Sequence, residues 1–361
     1  MKIAIDTQTT LGQKSGFGFY VKNLVEALAK VDHQNEYFLI RPNSEKDFST
    51  PKRLLWDQII FPHRARRLKV DLLHQPCFSA PLLYPGKVVV TCHDLISMFF
   101  PENIPLVSRL FYSKWEPFSY RKAAKIIAIS EHTKKDLRAF LQIPEEKIRV
   151  IPLAASSDFR PIKSQKTLKK IQKKYGTGPN YILDVGTLEP RKNLSFLVRA
   201  YALAVREGAN VNLVITGKKG WYYEGLFKLV DDLNLKNKVI FTGYVSEKDL
   251  PALYSGAKAF VFPSLYEGFG LPILEAMACG TPVISSNTSS MPEVIGQAGI
   301  LISPKDERVW AQNIIKILRD RGLAQTLSQM GIRQAKKFSW EETAKKTIAV
   351  YKEVLNDNLE N

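Results

Sequence analysis

The chain has 361 residues, 45% hydrophobic and 24% charged, ordinary values for a soluble globular protein but too many residues for one typical core, so two domains are expected. Three cysteines, Cys77, Cys92 and Cys279, form neither a disulfide framework nor metal-ligand spacing. With no run of 18 apolar residues and no signal-peptide pattern, a cytoplasmic location is expected. The formal charge of +17 is spread evenly over both halves and favours anionic partners.

Short apolar runs alternate with helical patterns along the chain. Lys2–Ile5, Tyr37–Ile40, Leu72–Leu73, Lys87–Thr91, Lys125–Ile129 and Arg149–Ile151 read as strands. Asn23–Lys30 reads as a helix, with Leu24, Ala27 and Leu28 on one face. This is the rhythm of a doubly wound parallel sheet. A polar, Lys-rich break follows at Ser156–Gly178, read as a linker with a solvated helix near Lys166–Lys174. The rhythm restarts at Tyr181–Val185, Val211–Thr216, Lys238–Thr242, Ala259–Pro263, Pro282–Ser285 and Ile300–Ser303. The expected division is therefore 1–160, a linker at 161–178, a second domain at 179–338, and a terminal amphipathic helix at 339–361 with Thr343, Ile348, Tyr351 and Val354 as packing positions. Two such domains place a ligand cleft between their carboxyl edges.

Two basic clusters, Arg64–Arg66–Arg67–Lys69 and Lys163 to Lys174, suit a solvated surface or an anionic membrane, where each basic residue contributes about 1 kcal/mol. No helix-turn-helix, zinc-finger or RNP-like pattern accompanies them, so no nucleic-acid partner is expected.

The most informative stretch is Ser264–Ile284. Glu267 falls on a strand-to-helix loop and Glu275 about one turn into the helix, because Pro272 suits a first turn and Gly280 an end. Gly268 and Gly270 let bare backbone amides approach a polar ligand at that helix N-terminus. The carboxylates can accept from sugar hydroxyls, so the combination suits a sugar nucleotide. Arg191 and Lys192 precede a second helix, which Asn193 can cap, and are placed to neutralise a diphosphate. In the first half, the Gln13–Tyr20 loop carries Gly16 and Gly18 but lacks the third glycine of a dinucleotide fingerprint. His93 ends a strand and can donate to a sugar hydroxyl, with Asp94 orienting the loop. Asp6 at the end of the first strand is ambiguous, and Ser130 reads as a helix N-cap. No Asp-x-Asp pair, P-loop or G-x-S-x-G elbow occurs, so no metal and no cofactor is expected.

These segments resemble a known family: GFGFYVKNL, TCHDLISMFFPE at 91–102, AISEHTKKDL, GTLEPRKNL, LVITGKKGW at 213–221, FTGYVSEKDLPALYSGA, and PSLYEGFGLPILEAMACGTPVISSNTSSMPEV. Together they are similar to retaining glycosyltransferases of family 4, with a GT-B fold of two Rossmann-like domains and a C-terminal helix crossing back to the first. Bacterial mannosyltransferases that build cell-surface polysaccharides are the nearest style. The resemblance implies that Arg191 and Lys192 bind the donor diphosphate, and that Glu275 holds the ribose. Glu267 and the amides of Gly268, Phe269, Gly270 and Leu271 would hold donor sugar and phosphate. His93 would contact the sugar, and Gly16 and Gly18 would line the diphosphate or acceptor side. Gly186 and Gly217 would shape the donor pocket, with Gly243, Tyr244 and Val245 near the base. The catalytic group would be His93, Glu267, Arg191 and Lys192. GDP-mannose is the expected donor and a glycan or lipid-linked hydroxyl the acceptor. UDP-glucose, UDP-galactose or UDP-GlcNAc transfer, glucan synthesis, epimerisation, and an inactive sugar-nucleotide-binding scaffold are the alternatives.

Overall fold

The computed structural model describes residues 1–11, 16–44, 48–100, 109–220 and 222–356. Gln13 of the first loop, Pro101 and Glu102 of the 91–102 segment, Trp221 of the 213–221 segment and the end of the 339–361 segment lie outside the described residues. Two compact units form, Met1–Leu153 with Ser339–Asn361, and Ala154–Phe338.

The first unit holds six parallel strands: β1 (Lys2–Asp6), β2 (Glu36–Ile40), β3 (Leu72–Gln75), β4 (Lys87–Cys92), β5 (Lys125–Ala128) and β6 (Ile148–Val150), in the order β2-β1-β3-β4-β5-β6. Parallel strands covered on both faces are near-continuous apolar runs, which is why their positions show in the sequence. β3 runs two residues past its expected end, because His74 and Gln75 are polar yet wholly buried. His74 earns its place through partners: Tyr351 Oη lies 2.6 Å from Nδ1 and Thr91 Oγ1 2.9 Å from Nε2. Burial, with His93 adding to it, pushes its pKa down to about 3, so the ring is neutral.

The helix expected at Asn23–Lys30 spans Gly16–Val31. Gly16 and Gly18 therefore belong to its first turn and not to a loop, a correction that glycine's poor helix propensity had hidden in the sequence. The terminal helix Trp340–Asn356 belongs to this unit and packs along Gly16–Val31. Thr343, Tyr351 and Val354 are buried as expected, while Ile348 is half-buried. Glu353 pairs with Lys125 at 2.6 Å and with Arg149, and Thr343 Oγ1 donates to Pro152 O at 2.8 Å.

The second unit holds β7 (Tyr181–Val185), β8 (Asn212–Thr216), β9 (Val239–Gly243), β10 (Ala259–Phe262), β11 (Val283–Ser286) and β12 (Ile300–Ile302), all parallel, in the order β12-β11-β10-β7-β8-β9. The chain winds outward from β7 through β8 and β9, then returns to the other side at β10. The topological switch point is thus the β7/β10 boundary, where open α/β sheets bind ligands. Residues 161–178, expected as a linker, lie inside this unit. Their helix, Gln165–Tyr175, buries Leu168 and Ile171, and both Lys174 Nζ and Tyr175 Oη reach Asp249, at 2.6 and 2.7 Å. The expected helix is present but packed on this unit and not free as a linker; the chain passes between units at 153–154 and 338–339.

Tyr351→Phe removes the partner of a buried imidazole nitrogen and should lower the unfolding free energy by about 1–3 kcal/mol. Urea denaturation of the two proteins measures it.

Candidate functional site

Both loops at the switch point carry the expected residues and bring them into contact. From β7 the chain leaves through Gly186, makes a short 3-10 turn at Pro190–Lys192, and enters the helix Leu194–Arg206. From β10 it passes Ser264 and Glu267 before the helix Leu271–Ala278. Glu267, 8% exposed, accepts from Lys192 Nζ at 2.6 Å and from Ser264 Oγ at 2.6 Å on one oxygen. Arg191 Nη1 lies 2.7 Å from the other. Burial raises the Glu267 pKa, but the two cations and these hydrogen bonds overcome it and hold the group down at about 2. Arg191 is also gripped by Glu189, through Nε at 2.9 Å and Nη2 at 2.5 Å, and donates from Nη1 to Tyr266 O at 3.0 Å. The Lys192 ammonium lies 4.8 Å from the Phe262 ring centre.

The backbone of Glu267 is fixed from a third strand's loop. Ser289 Oγ accepts from Glu267 N at 2.8 Å and donates to Glu267 O at 2.6 Å, while Ser290 Oγ donates to the same oxygen at 2.8 Å. The following helix, Leu271–Ala278, is preceded by Gly270 in the left-handed region with φ 96°, a cap residue that supplies no side-chain acceptor. A helix N-terminus whose cap residue offers no acceptor is the arrangement an anion occupies. Phe269 turns inward against Phe338 (ring centres 5.8 Å apart), so its contribution to a ligand is backbone only. Leu271, half-buried, opens the helix.

Glu275 sits one turn on, half-buried, and accepts from Tyr254 Oη at 2.9 Å. Burial, against the Tyr254 hydrogen bond and helped by Glu247, pushes its pKa up to about 8, so it carries a proton at neutral pH. A carboxyl in that state both donates and accepts, which suits a vicinal diol.

Three glycines close the floor. Gly186 N donates to Thr216 O at 2.8 Å and Gly217 N to Gly243 O at 3.0 Å, extending the ladder past the strand ends. At Gly217, with φ 152°, a Cβ would stand 1.9 Å from Gly186 O, so no other residue fits. Beside them Tyr244 is exposed under the Lys218 ammonium, 5.4 Å from its ring centre, whereas the Val245 side chain is buried and offers only backbone. Asn193 departs from its expected role. It lies in the left-handed region (φ 56°), makes no side-chain cap, and donates instead to Pro304 O at 3.2 Å.

In the first unit, His93 follows β4 and its ring meets Phe17 and Tyr20 edge-on at 4.8 and 4.7 Å. Its Nε2 lies 2.9 Å from Pro76 O, so that nitrogen carries the hydrogen. Burial lowers its pKa to about 4. The neutral ring therefore presents Nδ1 as an acceptor, the reverse of the donor role expected from sequence. Asp94 Oδ1 accepts from Ile96 N at 3.0 Å, orienting the loop, and Ser130 caps its helix by accepting from Thr133 N. Asp6 is wholly structural in its contacts: it accepts from Gln8, Trp56 and Gln75.

Residues 14–158 match the description Glycosyltransferase Family 4, and residues 165–337 match Glycosyl transferases group 1. O-antigen chain mannosyltransferase B of Escherichia coli is 36% identical over 303 residues, covering 84% of this chain and 77% of that protein. The chain belongs to the family 4 glycosyltransferases. Its fold is shared with sucrose-phosphate synthase from Thermosynechococcus elongatus (TM-score 0.80, 22% identity, 99% of this chain and 100% of that one) and with Anabaena HepE in complex with UDP-glucose (TM-score 0.76, 19% identity, 98% and 100%).

Five contributors to this candidate site were not singled out from sequence: Glu189, Tyr254, Ser264, Ser289 and Ser290. All five lie inside the quoted segments, but nothing in their spacing says which of several polar residues turns inward. The Arg191–Lys192–Glu267 grouping predicts a pH signature. Because the Glu267 pKa is depressed, its stabilisation is present above the ordinary 4.5 and is lost as pH falls toward 2. Glu267→Gln should therefore be less stable at neutral pH, and the difference from the parent protein should shrink on acidification, as followed by circular dichroism in urea at each pH.

Proposed function

We propose that this glycosyltransferase moves a mannosyl group from GDP-mannose to a hydroxyl of a glycan or lipid-linked acceptor in cell-surface polysaccharide synthesis, with net retention and without a metal ion. The observation that carries the donor reading is the pair Arg191 and Lys192, converging on one carboxylate beside an uncapped helix N-terminus at the sheet's switch point. The Escherichia coli relative is named as a mannosyltransferase, which supports mannose.

In this reading the diphosphate joins the two cations and the amides of Gly268 to Leu271. As the glycosidic bond breaks, charge grows on the leaving diphosphate, where fixed cations and helix-terminal amides act most strongly. Glu275 and Tyr254 engage the ribose hydroxyls. Glu267 is held by cations at a pKa of about 2, so it remains an ionised acceptor for sugar hydroxyls and is a poor proton donor. Front-face attack with the departing phosphate taking the acceptor proton then requires no second carboxylate. A UDP-hexose donor is the second reading, favoured by the UDP-glucose bound to Anabaena HepE.

Thermal-shift screening against GDP-, UDP-, ADP- and dTDP-sugars, followed by transfer assays, separates the two readings; stabilisation by a UDP-sugar and not by GDP-mannose overturns the first. Arg191→Ala should lower turnover by on the order of 10²–10³ with the fold retained. Near-normal turnover removes the diphosphate role. Glu275→Ala should weaken binding of the free nucleotide, read by calorimetry.

A peripheral membrane position is part of the proposal. No helix among the described residues is long and apolar enough to cross a membrane. Arg64, Arg66, Arg67, Leu68 and Lys69 are all exposed at the end of one helix, with Leu55 and Ile59 exposed on the turns before it. Replacing the four basic residues by Glu should lower co-sedimentation with vesicles containing anionic lipid, and leave soluble-acceptor turnover unchanged.

A further inference from the structure

Asp184 lies near the end of β7, 1% exposed, and neither of its carboxylate oxygens has a hydrogen-bond partner among the described residues. Buried carboxylates are normally paired or hydrogen-bonded, and an exception calls for an account. Its location supplies one. Gly186 continues the strand pairing through its N–H to Thr216 O at 2.8 Å, so residues 184 and 186 face the same way. A Cβ on Gly186 would stand 3.1 Å from Lys192 Cε and 3.5 Å from its Nζ. The Lys192 side chain thus lies over the bare Gly186, with the Asp184 carboxyl one pleat below.

The charged surroundings of Asp184 are few. β8 and β10, on either side of β7, contribute no ionisable residue. The helix Leu194–Arg206 covers the sheet with Leu194, Leu197, Val198 and Tyr201, and the helix Glu307–Arg319 with Trp310 and Ile314. The groups that act on Asp184 are Lys192 and Glu267, and Tyr254 feels its charge from the helix Leu250–Gly256. Glu267 is in turn paired with Arg191, and Arg191 with Glu189.

We infer that Asp184 is a positioning residue of the donor site that works through Lys192, and that a nucleoside diphosphate binds with uptake of one solvent proton onto the Asp184 carboxylate. The inference rests on the donor-site reading above. With Asp184 ionised, the connected group holds two cations, Arg191 and Lys192, against three carboxylates, Glu189, Glu267 and Asp184, and its net negative charge opposes an anion arriving at Lys192. With Asp184 neutral the charges of that group balance, and the anion meets Lys192 without that opposition. Burial, partly offset by Lys192 and reinforced by Glu267, sets the Asp184 pKa at about 7, so the choice falls within the working range of pH. A bound diphosphate adds negative charge and pushes that value higher, which makes the proton part of the binding equilibrium.

The test is calorimetric titration of the full chain with GDP and with UDP at pH 6 and pH 8.5, in buffers of differing ionisation enthalpy. For the parent protein the affinity should fall by roughly tenfold per pH unit once Asp184 is ionised in the free site. Asp184→Asn, a neutral side chain of the same shape, should take up about one proton fewer at pH 8.5 and bind roughly thirtyfold tighter there than the parent. Glu275, which also titrates in this range, is common to both proteins, so the difference between them belongs to Asp184. Asp184→Leu gives the same comparison if the amide variant does not fold. Equal proton uptake and parallel pH profiles in parent and variant overturn the inference and leave the donor site standing. Absence of nucleoside-diphosphate binding to either protein at both pH values overturns the donor reading and the inference with it.

Discussion

The candidate site in the second unit of this glycosyltransferase depends on one buried carboxylate. Glu267 could not stay ionised at 8% exposure without Arg191 and Lys192, and two cations could not be held this close together without Glu267. The three groups come from two loops 75 residues apart in sequence. Their meeting is therefore a product of sheet order, since β7 and β10 are neighbours only because the chain reverses direction there. Everything else nearby holds that triad: Ser264 and the Ser289–Ser290 pair fix the carboxylate and its backbone, and Glu189 fixes the guanidinium.

Under the proposed function, the triad also stores the charge that a diphosphate needs. Positive groups already desolvated and aimed require little reorganisation when an anion arrives, which is where electrostatic catalysis gains most. The adjoining helix start adds amides without a capping side chain, and the glycine floor at 186, 217 and 243 keeps side chains out of the space. Farther along, Glu275 is raised toward 8 while Glu267 is lowered toward 2. The two glutamates of one sequence segment thus differ in charge at neutral pH, because one meets cations and the other a tyrosine hydroxyl. Paired carboxylates with opposite shifts often signal an acid and a base. Here their separate partners instead fit separate parts of one ligand.

Much of this was legible in the sequence, for physical reasons. Every strand was visible because parallel strands buried on both faces are continuous apolar runs, and β3 was cut short by two residues, where buried His74 and Gln75 look polar. Gly268, Gly270, Pro272 and Gly280 gave the loop and the helix of the second glutamate. What sequence could not give was pairing and direction. Asn193 has the composition of a cap but adopts a left-handed backbone, and His93 uses its N–H on Pro76 O. Gly16 and Gly18 look like a loop and begin a helix, and the Lys-rich stretch taken for a linker buries Leu168 and Ile171. Asp184 gives no signal in the sequence, because a single carboxyl in an apolar run carries no pattern.

The most direct measurement is an experimental structure of the chain with a bound nucleoside diphosphate. The account predicts diphosphate oxygens within hydrogen-bond distance of Arg191, Lys192 and the amides of Gly268 to Leu271, with the ribose at Glu275. A nucleotide seated elsewhere, with the Arg191–Glu267–Lys192 grouping untouched by phosphate, would contradict it.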